Sequence, residues 1–207
     1  FPSFQTAVAA ASLPPSAAEK TFRERFSKAE SPEEKCLAHL GLGMALSSRA
    51  KYDEGAAHLK SALSIDPQML PALLELGNTY RMAGRPRDAV SILEKAMEKD
   101  ENNRAALYLT GLSYQQMEEY EKALKYFERL ASIGAQKHEL FYQLGISYGR
   151  LEKLAKAHYN FAKYFAARLQ NEDAAFHFRK AEEFAEGNSL LMGRIRREMQ
   201  RQGFKTK

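Results

Sequence analysis

The chain has 207 residues, 44% hydrophobic and 28% charged, a composition typical of a globular protein with one continuous core. No segment holds the roughly 18 successive apolar residues of a transmembrane helix. The single cysteine, Cys36, excludes an internal disulfide and a Cys-rich metal site, and we interpret it as a small core residue.

The formal net charge of +5 is confined to the C-terminal end, where six basic residues after Gly187 face Glu198 alone. These basic residues are Arg194, Arg196, Arg197, Arg201, Lys205 and Lys207. A basic end on a neutral body is interpreted as a solvated helix terminus, with an acidic partner or anionic membrane surface as the alternative.

The first 35 residues predict two helices, Phe1–Ala11 and Ala17–Lys28, separated by Pro14-Pro15. Ser31-Pro32-Glu33-Glu34 then supplies a helix N-cap and first turn. Residues 1–35 are assigned to capping helices or to a junction with an upstream domain. Because the chain starts at Phe1 without a methionine, we expect a processed or truncated part of a longer protein.

A repeat begins after residue 35. Glycines 43, 77, 111 and 145 follow one another at intervals of 34 residues. Three residues after each glycine come Leu46, Tyr80, Tyr114 and Tyr148. Twelve residues after it come Gly55, Ala89, Ala123 and Ala157, and sixteen after it Leu59, Leu93, Phe127 and Phe161. Small residues at two of these positions let paired helices approach closely, and the large ones fill the space between pairs.

This pattern resembles the tetratricopeptide repeat (TPR) family over about residues 36–188. The resemblance implies an all-α fold, a right-handed α-α superhelix (TPR solenoid) of four to five repeats with capping helices at both ends. The later copies depart from the pattern: Leu130 and Ala135 stand at the last small and proline positions of the third copy, and Tyr164 and Leu169 at those of the fourth.

The C-terminal end uses a different register. Leu154–Leu169 is predicted to close the fourth hairpin and open a fifth, whose second helix contains Asp173–Ala181. Residues 189–207 are assigned to a capping helix and basic tail. That helix, Ser189–Gln202, is predicted to pack through a stripe of Leu190, Leu191, Ile195 and Met199.

The catalytic and cofactor-binding motifs in the sequence are incomplete. His138-Glu139 starts like a zinc-peptidase helix, but position 142 is Tyr, and no two histidines stand four residues apart. Gly41-Leu42-Gly43 lacks the third glycine of a dinucleotide fingerprint. We therefore predict no catalytic, metal-binding or cofactor-binding residue and no cofactor in this segment, which is not expected to be an enzyme.

The TPR resemblance implies a concave groove formed by the first helix of each hairpin. In the first copy its residues include Leu40 and Met44, where a clamp for a C-terminal carboxylate needs Lys and Asn, so that specificity is not expected. The mixed apolar and polar groove suits an extended peptide or amphipathic helix. Its predicted residues are Leu74, Asn78, Arg81, Tyr108, Leu112, Gln115, Tyr142, Ile146 and Arg150.

Three functions are open at this point. Four segments are similar to the C-terminal TPR region of bacterial zinc metallopeptidases of the HtpX/BepA type: Phe1–Gln5, Leu13-Pro14-Pro15, Ala157–Phe161 and Phe176–Ala181. This resemblance implies a periplasmic docking domain behind a catalytic domain. The alternative is a freestanding TPR scaffold or lipoprotein of an envelope, pilus or secretion system; outside the metallopeptidase setting we expect a cytoplasmic protein. A nucleic-acid binder using the basic tail is disfavoured, because the folded body carries no net charge.

Overall fold

The computed structural model describes residues 2–98, 100–134 and 138–204. Within these ranges the chain forms twelve α-helices and no strand, which confirms the all-α class. The helices are α1 (Pro2–Ser12), α2 (Pro15–Lys28), α3 (Pro32–Ser48), α4 (Tyr52–Ile65), α5 (Leu70–Met82), α6 (Pro86–Met97), α7 (Arg104–Gln116), α8 (Tyr120–Ser132), α9 (His138–Arg150), α10 (Leu154–Ala167), α11 (Asn171–Phe184) and α12 (Ser189–Arg201). Phe1, Ala135, Lys205 and Lys207, named above, lie outside the described residues.

The first helix of each repeated hairpin ends in the same backbone turn. Seven residues after each recurrent glycine the chain enters the left-handed region. The residues there are Ala50 (φ 59°), Gly84 (75°), Glu118 (61°) and Glu152 (56°). The next backbone N–H donates to a carbonyl five residues earlier, as from Arg85 to Tyr80 at 2.8 Å. This is a Schellman motif, and it ends every first helix at the same point of the repeat.

A fifth turn of this kind follows α10. Leu169 has φ 60°, and the Gln170 N–H donates to the Phe165 carbonyl at 3.0 Å. Counting back seven residues places Ala162 at the glycine position, 17 residues or half a repeat after Gly145. Because α10 packs against both α9 and α11, the prediction that one helix closes the fourth hairpin and opens the fifth is confirmed.

Contacts between the helices divide the chain into two compact units, Phe1–Ser113 and Tyr114–Lys207. In the first unit α3 pairs with α4, α5 pairs with α6, and α4 packs against α5. Leu59 and Leu93, both 0% exposed, lie directly against Gly43 and Gly77. The predicted close approach of paired helices at these glycines is therefore confirmed.

The N-terminal helices pack on the first repeat. α2 packs along α3, and α1 contacts both α3 and α5. The buried ring of Phe22 fills the space beside Gly41. A buried carboxylate, Glu19, joins α2 to the end of α3 through an ion pair with Arg49, and it also pairs with Arg23 of α2 at 2.8 Å. Ser31 caps the start of α3 as predicted, and the Glu34 side chain completes a reciprocal capping box.

In the second unit α9 pairs with α10, α10 with α11, and α12 packs against α11. Ile195 and Met199 of α12 are buried in one cluster with Phe178 of α11. Leu190 is 86% exposed, so its predicted place in the packing stripe is wrong. At 100° per residue it lies on the same face as Arg194 and Arg197 and points away from the Ile195 side.

Gly145 and Gly149 on α9 offer a matched test of the close helix contact. A Cβ at Gly145 would lie 2.6 Å from the Phe161 ring, whereas a Cβ at Gly149 would meet only Ala157 at 3.8 Å. We expect Gly145→Ala to destabilise the protein by about 1–3 kcal/mol through overpacking. Gly149→Ala should be neutral or stabilising, because alanine has the higher helix propensity. Urea unfolding followed by circular dichroism measures both, and equal effects would contradict the assigned contact.

Candidate functional site

In the first unit, the predicted groove residues lie on the first helices of two successive hairpins. Leu74, Asn78 and Arg81 come from α5, and Tyr108 and Leu112 from α7. All five side chains are half-buried, so they line the fold without being lost in its core. We call this set the α5–α7 surface.

Arg81 is the charged side chain of the α5–α7 surface. Its terminal nitrogen donates to the Asn78 side-chain oxygen at 2.9 Å, while its buried Nε has no hydrogen-bond partner among the described residues. No described carboxylate pairs with this guanidinium, and burial lowers its pKa from the ordinary value. The ring of Tyr108 is close enough for its phenol to interact electrostatically with Arg81. A carboxylate brought to this point would meet a partly desolvated and unneutralised cation.

The register explains why Arg81 is unusual. Four residues after Gly43, Ser47 bonds to Thr79 of the next repeat, with 2.7 Å between hydroxyl oxygens. Four residues after Gly111, Gln115 donates to Ser147 at 2.8 Å in the same way. Arg81 holds the equivalent place, but its register partner, Ser113, donates to the Leu109 carbonyl. At this register position Ser47 and Gln115 join neighbouring repeats, whereas the Arg81 Nε has no hydrogen-bond partner among the described residues.

One groove residue of the first copy does not line any surface. Leu40 is 0% exposed and belongs to the core between α3, α4 and α5, so its predicted position in the groove is wrong. Met44 is half-buried and packs beside Ala9 and Ala10 of α1. The first copy is thus partly covered from within the chain.

In the second unit, Gln115 stands apart from the other predicted residues. Both hydrogens of its side-chain amide are used within the fold, on the Gln143 carbonyl and on the Ser147 hydroxyl. Tyr142 is 40% exposed and packs against the rings of Phe161 and Tyr164 of α10. Ile146 is half-buried and Arg150 is exposed. Of these four residues, Tyr142 and Arg150 are more accessible to a ligand than Gln115 and Ile146.

No group of three or more His, Cys, Asp or Glu side chains that could hold a metal ion is found in the described part of the chain. None of the helices described is long and apolar enough to cross a membrane.

The geometry defines an α-helical repeat protein, and the comparisons with known proteins name the repeat. Residues 46–110 and 80–144 match the family model described as tetratricopeptide repeat, and these two matches are offset by the 34-residue period. None of the curated protein sequences matches the chain. The TPR family is thus supported for the central repeats.

Solved structures extend the similarity to most of the chain. A crystal structure of MamA has 19% identity and a TM-score of 0.63, covering 83% of this chain and 95% of that one. A structure of MamA AMB-1 has 18% identity and a TM-score of 0.60, covering 90% and 99%. YrrB, described as a TPR protein with an unusual peptide-binding site, has 20% identity and a TM-score of 0.55, covering 85% and 97%. At these identities the shared property is the fold, and none of these comparisons supports the metallopeptidase link.

Two histidine pairs are a feature that the sequence motifs did not indicate. The Nδ1 atoms of His39 and His58 lie 2.9 Å apart, and those of His158 and His177 lie 2.8 Å apart. Both pairs join the first and second helices of a hairpin at a spacing of 19 residues. The sequence does contain this correspondence. His39 lies four residues before Gly43, and His158 lies four residues before Ala162, which takes the glycine position in the half-repeat register.

The His158–His177 pair predicts a loss of stability in acid. Burial first, and then nearby positive charge (Lys180 for His158, His158 for His177), lowers both pKa values, against weaker opposite effects of Glu183 and Asp173. A lowered folded pKa means that stability is present above the unfolded value of about 6.5 and is lost as pH falls through the folded value. We expect the urea midpoint of the wild type to fall more between pH 7.5 and 5 than that of the His158→Phe/His177→Phe variant. Parallel pH profiles would contradict this.

Glu75 of α5 predicts the opposite dependence. Burial raises its pKa from 4.5 to about 7, so the folded state favours the protonated carboxyl and loses stability as pH rises through that value. We expect Glu75→Gln to raise the melting temperature at pH 8, corresponding to roughly 1–3 kcal/mol, and to have little effect at pH 5. The exposed Glu94→Gln on α6 is the matched control. A benefit of Glu75→Gln that is equal at both pH values would contradict the assignment.

Proposed function

We propose that this chain is a protein-interaction module whose α5–α7 surface binds an extended peptide segment carrying a carboxylate. The observation that carries the proposal is the half-buried, unneutralised guanidinium of Arg81 on this surface. Leu74, Tyr108 and Leu112 supply apolar contact around it, and Asn78 supplies amide hydrogen bonds to a peptide backbone. The likeness to YrrB, which is described as having a peptide-binding site, supports peptide binding as the function.

The size of the expected effect follows from the chemistry of Arg81. Hydrogen bonds to a charged group contribute about 1.5–3 kcal/mol, so the loss of one is measurable as a tenfold or larger change in affinity. In the free protein the Arg81 Nε is a buried donor without a hydrogen-bond partner among the described residues, which costs stability. The Arg81 side chain should therefore favour ligand binding while lowering the stability of the free protein.

The test compares two libraries of ten-residue peptides, one with a fixed central Glu and the other with Gln, by fluorescence polarisation. We expect Arg81→Gln to weaken binding of the Glu library at least about tenfold and to leave the Gln library nearly unchanged. The melting temperature should stay equal or rise. Arg87→Gln, an exposed cation on α6, is the charge-matched control. Equal weakening by both variants, or no preference for Glu in the wild type, would contradict the proposal.

The rest of the surface is tested separately. Asn78→Ala combined with Tyr108→Ala should weaken binding of both libraries and leave the helical melt nearly unchanged, because neither side chain belongs to the buried core. Unchanged affinity would move the binding site elsewhere.

The setting of the module is a second part of the proposal. A TPR scaffold agrees with the similar solved structures, each covered over at least 95% of its length by this fold. Whether this scaffold acts alone or as the docking domain of an envelope zinc metallopeptidase is tested by sequencing the gene upstream of the codon for Phe1. A His-Glu-x-x-His segment there would favour a periplasmic docking domain, and a lipoprotein signal peptide without a catalytic domain would favour the freestanding scaffold.

A further inference from the structure

The double role of α10 places two further side chains at groove positions. With Ala162 at the glycine position, Tyr159 stands where the other repeats have Leu74, Tyr108 and Tyr142, three residues before that position. Lys163 follows Ala162 as Asn78 follows Gly77. Both side chains are half-buried. Neither is assigned to the groove if α10 is treated only as the second helix of the fourth hairpin.

Lys163 is a cation held against aromatic rings. Its Nζ lies 3.7 Å from the ring centroid of Phe141 and 5.7 Å from that of Tyr159. No carboxylate among the described residues forms an ion pair with it. Burial, together with the charges of Arg201 and Arg194, lowers its pKa, against an opposite effect of Glu198. This ammonium is therefore only partly solvated and lacks a neutralising partner.

Helix α12 adds further cations beside this point. Ile195 and Met199 anchor α12 in the cluster that also contains Tyr159. Arg194 and Arg197 are exposed, occupy one face of α12, and lie near enough to Tyr159 to affect the pKa of its phenol. Neither forms an ion pair with a carboxylate of the described chain.

The acidic groups in this region are already engaged. Arg196 pairs with Glu182 at 2.9 Å, and Arg201 pairs with Glu198 at 2.8 Å. Glu198 is the carboxylate that raises the pKa of Lys163, and it also accepts a hydrogen bond from Gln202 at 2.9 Å. Within the described residues, Lys163, Arg194 and Arg197 are consequently left without an ion-pair partner of their own.

We propose that Tyr159, Lys163, Arg194 and Arg197 form a second binding surface, which takes an acidic peptide segment. Three cations without ion-pair partners match two or three carboxylates, and the Tyr159 phenol can donate a hydrogen bond to one of them. A peptide fits better than nucleic acid because base stacking needs open aromatic faces, whereas Phe141 is buried and Lys163 lies over the half-buried Tyr159 ring. This surface lies within the second unit, so it does not depend on the α5–α7 surface.

The test uses a fluorescein-labelled peptide of four Glu-Gly repeats and the same peptide with Gln in place of Glu. We expect the Glu peptide to bind more tightly at 50 mM than at 300 mM salt, and the Gln peptide to bind weakly at both. Arg194→Gln/Arg197→Gln and Lys163→Met should each weaken the Glu peptide at least about tenfold. Lys163→Met should keep or raise the melting temperature, because it removes a partly buried charge.

Two controls decide what the result means. Lys125→Gln/Arg179→Gln removes two exposed cations from α8 and α11 of the same unit, and equal weakening by that variant would reduce the effect to net charge and overturn the proposal. A labelled ten-nucleotide DNA strand that binds more tightly than the Glu peptide, with the same dependence on Arg194 and Arg197, would assign the surface to nucleic acid and overturn it as well. Arg81→Gln should leave this binding unchanged, so the two binding surfaces can fail independently.

Discussion

The left-handed turn that ends the first helix of each hairpin is the constraint on which the repeat depends. It fixes where the helix stops, and the tight connection then brings a small residue of the first helix against a large residue of the second, as Gly77 meets Leu93. Because turn and contact are tied to one register, the same face of each first helix recurs every 34 residues. The α5–α7 surface follows from that register.

The same constraint explains the irregular end of the chain. α10 presents Phe161 to Gly145 as a second helix, and seven residues after Ala162 it ends in the turn of a first helix. A half-repeat shift is possible because a helix has several faces, and each register needs only one of them. As a result, Tyr159 and Lys163 take up the register positions of groove residues at a place where strict counting from Gly145 finds none.

Much of the fold was accessible from the sequence because its signals are local and periodic. The glycine spacing, the N-cap at Ser31 and the shared helix α10 all depend on residues within one or two turns or on one period. The errors concern which face of a helix is covered. Leu40 has the spacing of a groove residue but lies in the core, and Leu190 has an apolar side chain but faces solvent. The His158–His177 pair and the burial of Glu75 depend on packing between helices, which a pattern along one helix does not encode.

The polar side chains on the two proposed surfaces share one physical property. Ser47 and Gln115 use their hydrogen-bonding groups to join neighbouring repeats, and Glu19 and Glu198 neutralise nearby arginines. Arg81 and Lys163 are also drawn towards the interior, yet neither has a carboxylate partner in the described chain. A desolvated cation without a counterion lowers the stability of the fold that holds it. A ligand carboxylate would supply the missing charge, which is why binding is proposed at these two positions rather than at the better-paired cations around them.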